Sequence, residues 1–431
     1  MKTKVAYDIT FLGHELGRSD RKTGIFRVTE EVMYELLKKD DVDLKLVGLC
    51  GAKPAFSALS CSLYTKNDDS LLASKFIDVF SSRLNLNNLY EKFYPVYLSE
   101  DFQKLSRSSI QSIYLRVLLK LLEKLDARII FDCKSFDLLH SSYHQLPPEN
   151  ITQDLPRLLT VHDLIPIVTP EYVNPEQTPY LKKILASINF RRDWVVCNSE
   201  YTKQEFCEYT KMPPERTFVT PLAAASHFRL VNDPARIAAT RQRYGIPEGD
   251  YFLSIATYLE PRKNLPHLIR CFFRLLSEAP NLDANLVLVG SKRFKPGETF
   301  ESQDFPQFSS RVIFTGYVAD EDLSTIYSGA KAFIYPSLYE GFGLPPLEAM
   351  QCGTPVITSN TTSLPEVVGD AGIMVDPKDE DALCQAMHTL LTNRTMCQEL
   401  SQKGLERSHH FSWSKCAADT VEIYKKIASS R

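Results

Sequence analysis

Short apolar runs alternate along this chain with stretches in which apolar residues recur every three or four positions. That rhythm predicts strands alternating with amphipathic helices, and hence parallel sheets with helices on their faces. In the first half VAYDI (5 to 9), LKLVGL (44 to 49), RIIFD (128 to 132), FDLLH (136 to 140), RLLTV (157 to 161) and WVVCN (194 to 198) read as strands, with helices over 25 to 38 and 199 to 209. After a polar stretch from 230 to 250, a second series begins: YFLSIA (251 to 256), NLVLVG (285 to 290), RVIFT (311 to 315), KAFIY (331 to 335), PVITS (355 to 359) and GIMV (372 to 375). Helices are expected between them at 264 to 277, 320 to 329 and 345 to 352, and beyond them at 379 to 393. Two doubly wound α/β halves follow, joined near 225 to 245, with the natural ligand site in a cleft at the carboxyl ends of their strands.

Residues 51 to 127 break the rhythm. A polar Ser/Asn-rich part precedes SIYLRVLLKLLEKL (112 to 125), whose apolar residues recur at helical spacing while Arg116, Lys120 and Lys124 line its other side. The segment reads first as a core helix with a solvated face. Its second reading is a basic helix on an anionic membrane surface, which leaves peripheral membrane association open.

A length of 431 residues exceeds the usual size of one hydrophobic core, in keeping with two domains. Hydrophobic content of 44% and charged content of 24% are those of an ordinary globular chain, and no segment approaches the ~18 uncharged apolar residues that span a membrane. The opening MKTKVAYDIT reads as a first strand, so no secretion signal is expected. Ten cysteines, scattered from Cys50 to Cys416 without a CxxC pair, fit neither a zinc site nor a disulfide framework and suit a reducing cytoplasm. The formal net charge of -3 gives no general reason to expect nucleic acid as a partner.

The candidate chemistry lies in LYEGFGLPPLEAMQCGTPVI (338 to 357), where Glu340 and Glu348 flank a Gly-Phe-Gly turn that runs into a helix. Glycines let backbone approach a ligand, and a helix N-terminus offers unpaired N–H groups to a phosphate. Helical side chains tilt toward the N-terminus, so Glu348 points back to the mouth that Glu340 approaches from the loop. Taken alone, the two acids read equally as a hydroxyl clamp for a sugar diol and as a dipole-stabilised helix glutamate beside a solvated loop acid. ATYLEPRKNLPHLI (256 to 269) shifts the balance, because it sets Arg262 and Lys263 on the same strand-end edge, just before Asn264, an expected helix cap. Adjacent cations there suit a diphosphate.

With EGFGLPPLEA, its E-x7-E spacing, EPRKN and VIFTGYVADEDLSTIYSGAKAFIYPSLYEGFG in view, the C-terminal half resembles the GT4 family of retaining glycosyltransferases. The resemblance implies a GT-B fold, two Rossmann-like domains facing each other across a cleft. It divides the chain into an acceptor-binding domain (1 to 228, with 51 to 127 as an irregular, partly helical insertion), a nucleotide-sugar-binding domain (229 to 410) and a final helix (411 to 431) that crosses back. It implies that Glu348 holds the nucleotide ribose and Glu340 the donor sugar's hydroxyls. Gly341, Phe342, Gly343 and Leu344 line sugar and phosphate through backbone N–H groups. Arg262 and Lys263 neutralise the diphosphate, and backbone near Tyr317 and Val318 touches the base. Many relatives carry an arginine five residues before this lysine, where this chain has Tyr258. RKTGIFRVTEEVMYELL (21 to 37) resembles the family's glycine turn, with Gly24 near the donor phosphate. LLTVHDLIPIVTPEY (158 to 172) resembles its His-Asp element, with His162 facing the reacting sugar and Asp163 orienting the loop or that histidine. In CNSEYTKQEF (197 to 206), Ser199 is an expected helix cap.

The implied reaction transfers a hexose from a nucleotide donor to an acceptor hydroxyl with retention, by front-side attack on the face of the departing diphosphate. HDLIP and EPRKN look most like bacterial mannosyltransferases, so the first expectation for the donor is GDP-mannose and the second a UDP-hexose. No other cofactor and no metal are expected. Asp41-Val42-Asp43 matches an Asp-x-Asp metal motif in form but reads as turn and strand-entry residues. Acceptors left open are a lipid-linked glycan, a polysaccharide or a protein, in a cytoplasmic setting that includes the inner face of the membrane. Epimerase and phosphorylase readings lack local signatures. A chain that binds sugar nucleotides without turnover is disfavoured by the charged residues the motifs retain.

Overall fold

The computed structural model describes residues 2–15, 24–51, 54–68, 70–99, 109–255, 260–290 and 306–430. A first parallel sheet has the spatial order β2 (Val42–Val47), β1 (Thr3–Asp8), β5 (Leu138–Ser141), β6 (Arg157–Val161), β7 (Trp194–Cys197), β8 (Thr217–Val219). A second has the order β11 (Val312–Gly316), β10 (Ala284–Val289), β9 (Asp250–Ile255), β12 (Ala332–Tyr335), β13 (Val356–Ser359), β14 (Gly372–Val375). In both, the first strand in sequence lies inside the sheet, and the chain winds first to one edge and then to the other. Strands covered on both faces must be apolar throughout, and β10 is buried at all six positions. The helix Leu265–Glu278 buries Leu265, Leu268, Ile269, Phe272, Phe273, Leu275 and Leu276, the stripe that three-to-four spacing produces.

Two expectations need correction. The segment 128 to 132 is not a strand of the first sheet: Ala127–Ile129 (β4) pairs antiparallel with Phe80–Ser82 (β3) in a separate two-stranded ribbon. β5, buried at all four positions, takes the place beside β1, whereas β4 follows directly on a helix and is only partly buried. Residues 51 to 127 are also more regular than their composition suggests, with helices Pro54–Asp68, Ser70–Lys75, Asn87–Leu98 and Ile110–Leu125. Phe56, Tyr90, Tyr94, Leu115, Leu119 and Leu122 form a small core of their own there.

The last helix, Trp413–Ser429, packs on helix Ile25–Leu37 and on β1 and β5 of the first sheet. Tyr424 on it bonds His140 Nδ1 at 2.6 Å, and Lys425 pairs with Asp41 at 2.9 Å. Asp41 thus sits in the turn before β2, tied to a lysine. No helix of the described residues is long and apolar enough to cross a membrane.

Candidate active site

The carboxyl end of β12 leads through Pro336 into the loop Ser337–Gly343 and then the helix Leu344–Gln351. Pro345 and Pro346 occupy the first turn, where a missing N–H costs nothing. Gly343 precedes them at φ 125°, a backbone conformation that disfavours any side chain.

Glu340 is buried, and one of its oxygens, Oε1, collects four partners: Lys263 Nζ at 2.7 Å, Arg262 at 2.7 Å, Ser337 Oγ at 2.7 Å and Tyr335 OH at 2.8 Å. Burial pushes its carboxyl up, but Lys263 and Arg262 outweigh burial and pull it down to about 2. Lys263 lies 4.7 Å over the Tyr335 ring, and burial lowers its ammonium against the pull of Glu340. Both cations come from the short turn Pro261–Lys263, whose Arg262 carbonyl accepts from Leu338 N–H at 2.7 Å and Ser337 Oγ at 2.9 Å. Asn264 stands before the next helix but does not cap it through its side chain: at φ 58° that side chain donates to the carbonyls of Pro336 and Pro377. It therefore joins the two strand-end loops. Tyr258 lies outside the described residues.

Glu348 is buried one turn into its helix, accepts from Tyr327 OH at 3.2 Å and lies 3.6 Å from Arg27. Burial raises its carboxyl to about 7, opposed by Arg27 and Tyr327. Arg27 also pairs with Asp320 at 2.8 Å, so a residue from the first turn after Gly24 spans the two halves. Sequence reasoning missed it, although its place three residues after the glycine turn was a signal. Gly24 itself has φ 60° and ψ -125°, with no described atom within 4 Å of where a Cβ would sit.

A Cβ on Gly341 would lie 2.6 Å from the His162 carbonyl oxygen and 2.7 Å from Asp163 Cβ. This glycine thus answers to the N-terminal half. The Gly341 carbonyl accepts from Ser199 Oγ at 2.9 Å and Thr202 Oγ1 at 3.1 Å, while Ser199 also caps the helix Glu200–Thr210. Glu366 reaches across to the same helix start, accepting from Glu200 N–H at 2.8 Å and Tyr201 N–H at 2.6 Å. Tyr339 bonds Glu205 as well. The loop 338 to 343 is therefore held from both sides.

His162 ends β6 with both ring nitrogens engaged, Nε2 on the Ser142 carbonyl at 3.0 Å and Nδ1 on Asn198 Nδ2 at 3.1 Å. Burial lowers it to about 4, so the imidazole is neutral near pH 7. A bond from its ring to a sugar hydroxyl requires giving up one of these partners. Asp163 Oδ1 accepts from Ile165 N–H at 3.1 Å, which orients the loop. Beside them opens a cavity of about 430 Å³, whose walls include Tyr143, His162, Asp163, Asn174, Tyr180 and Arg262. Tyr317, 77% exposed, and buried Val318 follow β11 on the same edge of the second sheet. Phe342 packs on Phe411, and Leu344 opens the helix. Among the described residues no cluster of three or more His, Cys, Asp or Glu side chains could hold a metal ion.

Comparison with known proteins decides the family. Residues 237–407 match the model of glycosyl transferases group 1, and residues 87–223 that of glycosyltransferase family 4. The chain is 35% identical over 268 residues to the O-antigen chain mannosyltransferase B of Escherichia coli, covering 62% of this chain and 70% of that one. This chain belongs to the GT4 glycosyltransferases. A further relative, the serotype-specific mannosyltransferase WbdA of Escherichia coli, is 32% identical over 310 residues, 70% of this chain but only 37% of its own length. In fold, a crystal structure of a glycosyltransferase from Rickettsia africae ESF-5 superposes with a TM-score of 0.62 at 16% identity, over 99% of this chain and 98% of that one. The architecture of this GT4 enzyme is GT-B, two Rossmann-like domains facing across a cleft, with His162 of one and Arg262 of the other lining the same cavity. It is a glycosyltransferase.

Proposed function

We propose that this chain transfers mannose from GDP-mannose, with retention, to a hydroxyl of a glycan in the assembly of a bacterial polysaccharide or glycoconjugate. The observation that carries the reading is the convergence of Lys263, Arg262 and Glu340 at one strand-end edge beside the cavity. The names of the two mannosyltransferase relatives supply the sugar.

In this reading the diphosphate lies on Lys263 and Arg262, which share their charge between it and Glu340. As the anomeric bond breaks, negative charge grows on the leaving phosphate next to two fixed cations, an arrangement that stabilises the transition state more than the ground state. Glu340 stays ionised at all working pH values, and its second oxygen accepts a donor-sugar hydroxyl. Glu348 accepts from the ribose diol, while backbone N–H groups of Gly341 to Leu344 meet sugar and phosphate. Gly24 adds backbone on the phosphate side, and Tyr317 and Val318 flank the base. The acceptor sugar enters through the cavity beside His162, among tyrosine rings and amides that suit a saccharide. No cofactor or metal takes part, and a donor phosphate oxygen helps to take the acceptor proton.

Thermal shift against GDP, UDP and ADP and their sugars, followed by turnover of GDP-mannose with a mannan-type acceptor, tests this. Stabilisation by GDP and an α-linked product are expected. Stabilisation by UDP alone, with turnover of a UDP-hexose, would overturn the donor assignment.

A further inference from the structure

The helix Ile110–Leu125 packs one face as the sequence leads one to expect, but its solvated side carries large apolar side chains as well as lysines. Leu115, Leu119 and Leu122 are buried on one side against Phe56, Tyr90 and Tyr94. On the other side Ile113, Tyr114, Val117, Leu121 and Leu125 are 48 to 65% exposed. At 3.6 residues per turn these five share one arc with Lys120 and Lys124, which are also exposed. Arg116 leaves that arc, bonding Ser112 Oγ at 2.9 Å and covering the Tyr97 ring. Glu123 is half-buried toward the packed side, so among the described residues the open arc carries two cations and no acid. Val96 on the preceding helix, with Leu84 and Ile130 flanking the β3–β4 ribbon, adds further exposed apolar surface in the same insertion.

We infer that this arc is a docking surface for a lipid bilayer bearing anionic headgroups. Five large apolar side chains on one stripe gain by leaving water, and a helix lying in the interface plane buries such a stripe at the headgroup–acyl boundary. Lysines on the same stripe extend their amines back to the headgroups while their stems stay in the apolar layer. Anionic lipid satisfies both features at once. A second copy does not: a two-fold contact through this arc faces four lysines with no acid on either side.

Sedimentation of the full chain with vesicles tests this, using phosphatidylcholine alone and phosphatidylcholine with about one-third phosphatidylglycerol. Binding to the anionic vesicles is expected, weakened by salt and by K120E/K124E, and reduced about tenfold or more by V117E/L121E. All four substituted side chains are exposed, and an unchanged thermal midpoint with GDP shows that the variants fold. Equal binding to both vesicle types, or binding indifferent to V117E/L121E, would overturn the inference. So would concentration-dependent dimerisation abolished by those substitutions, since a second copy would then own the face.

Discussion

Glu340 and Glu348 sit eight residues apart with opposite proton affinities, because one is buried among cations and the other mostly among neutral groups. Glu340 is held at about 2 and Glu348 at about 7. If Glu348 must be ionised to accept two ribose hydroxyls, donor affinity falls as pH drops from 8 to 6. Titration of donor binding against pH checks this, and Glu348→Gln should bind more weakly with a flat profile. The stability linkage of the two acids runs in opposite directions. Glu348, raised above its unfolded value, destabilises the fold progressively as pH rises from about 4.5 to about 7. Glu340, depressed, contributes stability above its unfolded value that is lost as pH falls toward about 2. Glu340→Ala takes the ion pair from largely buried Lys263 and leaves Arg262 with Glu260 at 2.7 Å, so a loss of about 3 kcal/mol accompanies loss of transfer. Lys263→Ala keeps the Arg262–Glu340 pair, so transfer should fall by about a hundredfold or more at a smaller stability cost. Denaturant titration alongside turnover separates the two effects; undiminished turnover in purified Lys263→Ala would remove the cation from the mechanism.

At the scale of elements, strand–turn–helix units carry the site, and their turns are where local chemistry is most legible. Pro345, Gly343 and Ser199 behave as residues of their kind do at helix starts. Asn264 does not: at φ 58° its Nδ2 donates to two carbonyls of neighbouring loops, and its side chain makes no capping bond to the N–H groups of its own helix. Gly341 is the sharpest case. Read in sequence, it is a glycine for a ligand to approach; in the fold, its missing Cβ makes room for the His162 carbonyl. Gly341→Ala should therefore cost about 2 kcal/mol and most of the activity, with a thermal midpoint that drops even without nucleotide. The insertion was poorly legible because its helices bury only small satellite faces. The ribbon strand β4 was misplaced because an apolar run of five residues carries no information on which sheet it joins.

Across the whole molecule, contacts between residues far apart hold the halves against each other: Arg27 on Asp320 and Glu348, Glu366 on the start of helix Glu200–Thr210, and Ser199 on Gly341. Glu348 and Gly341 belong both to these contacts and to the proposed donor site, so the two draw on some of the same residues. Arg27→Ala removes both of its ion pairs and one of the pulls that keep Glu348 from rising further. Its donor-binding profile should shift to higher pH, and small-angle scattering should show a larger radius of gyration without nucleotide; an unchanged profile would leave Arg27 structural. By itself the sequence determined two doubly wound halves and the edge on which Glu340, Lys263 and Arg262 meet, since hydrophobic period and strand-end turns are written within a few residues. Only the tertiary structure decided that His162 spends both nitrogens internally, that Arg27 bridges the halves, and that helix Ile110–Leu125 leaves an apolar face open. Each of these depends on which distant segment comes to lie alongside, and local periodicity does not encode that.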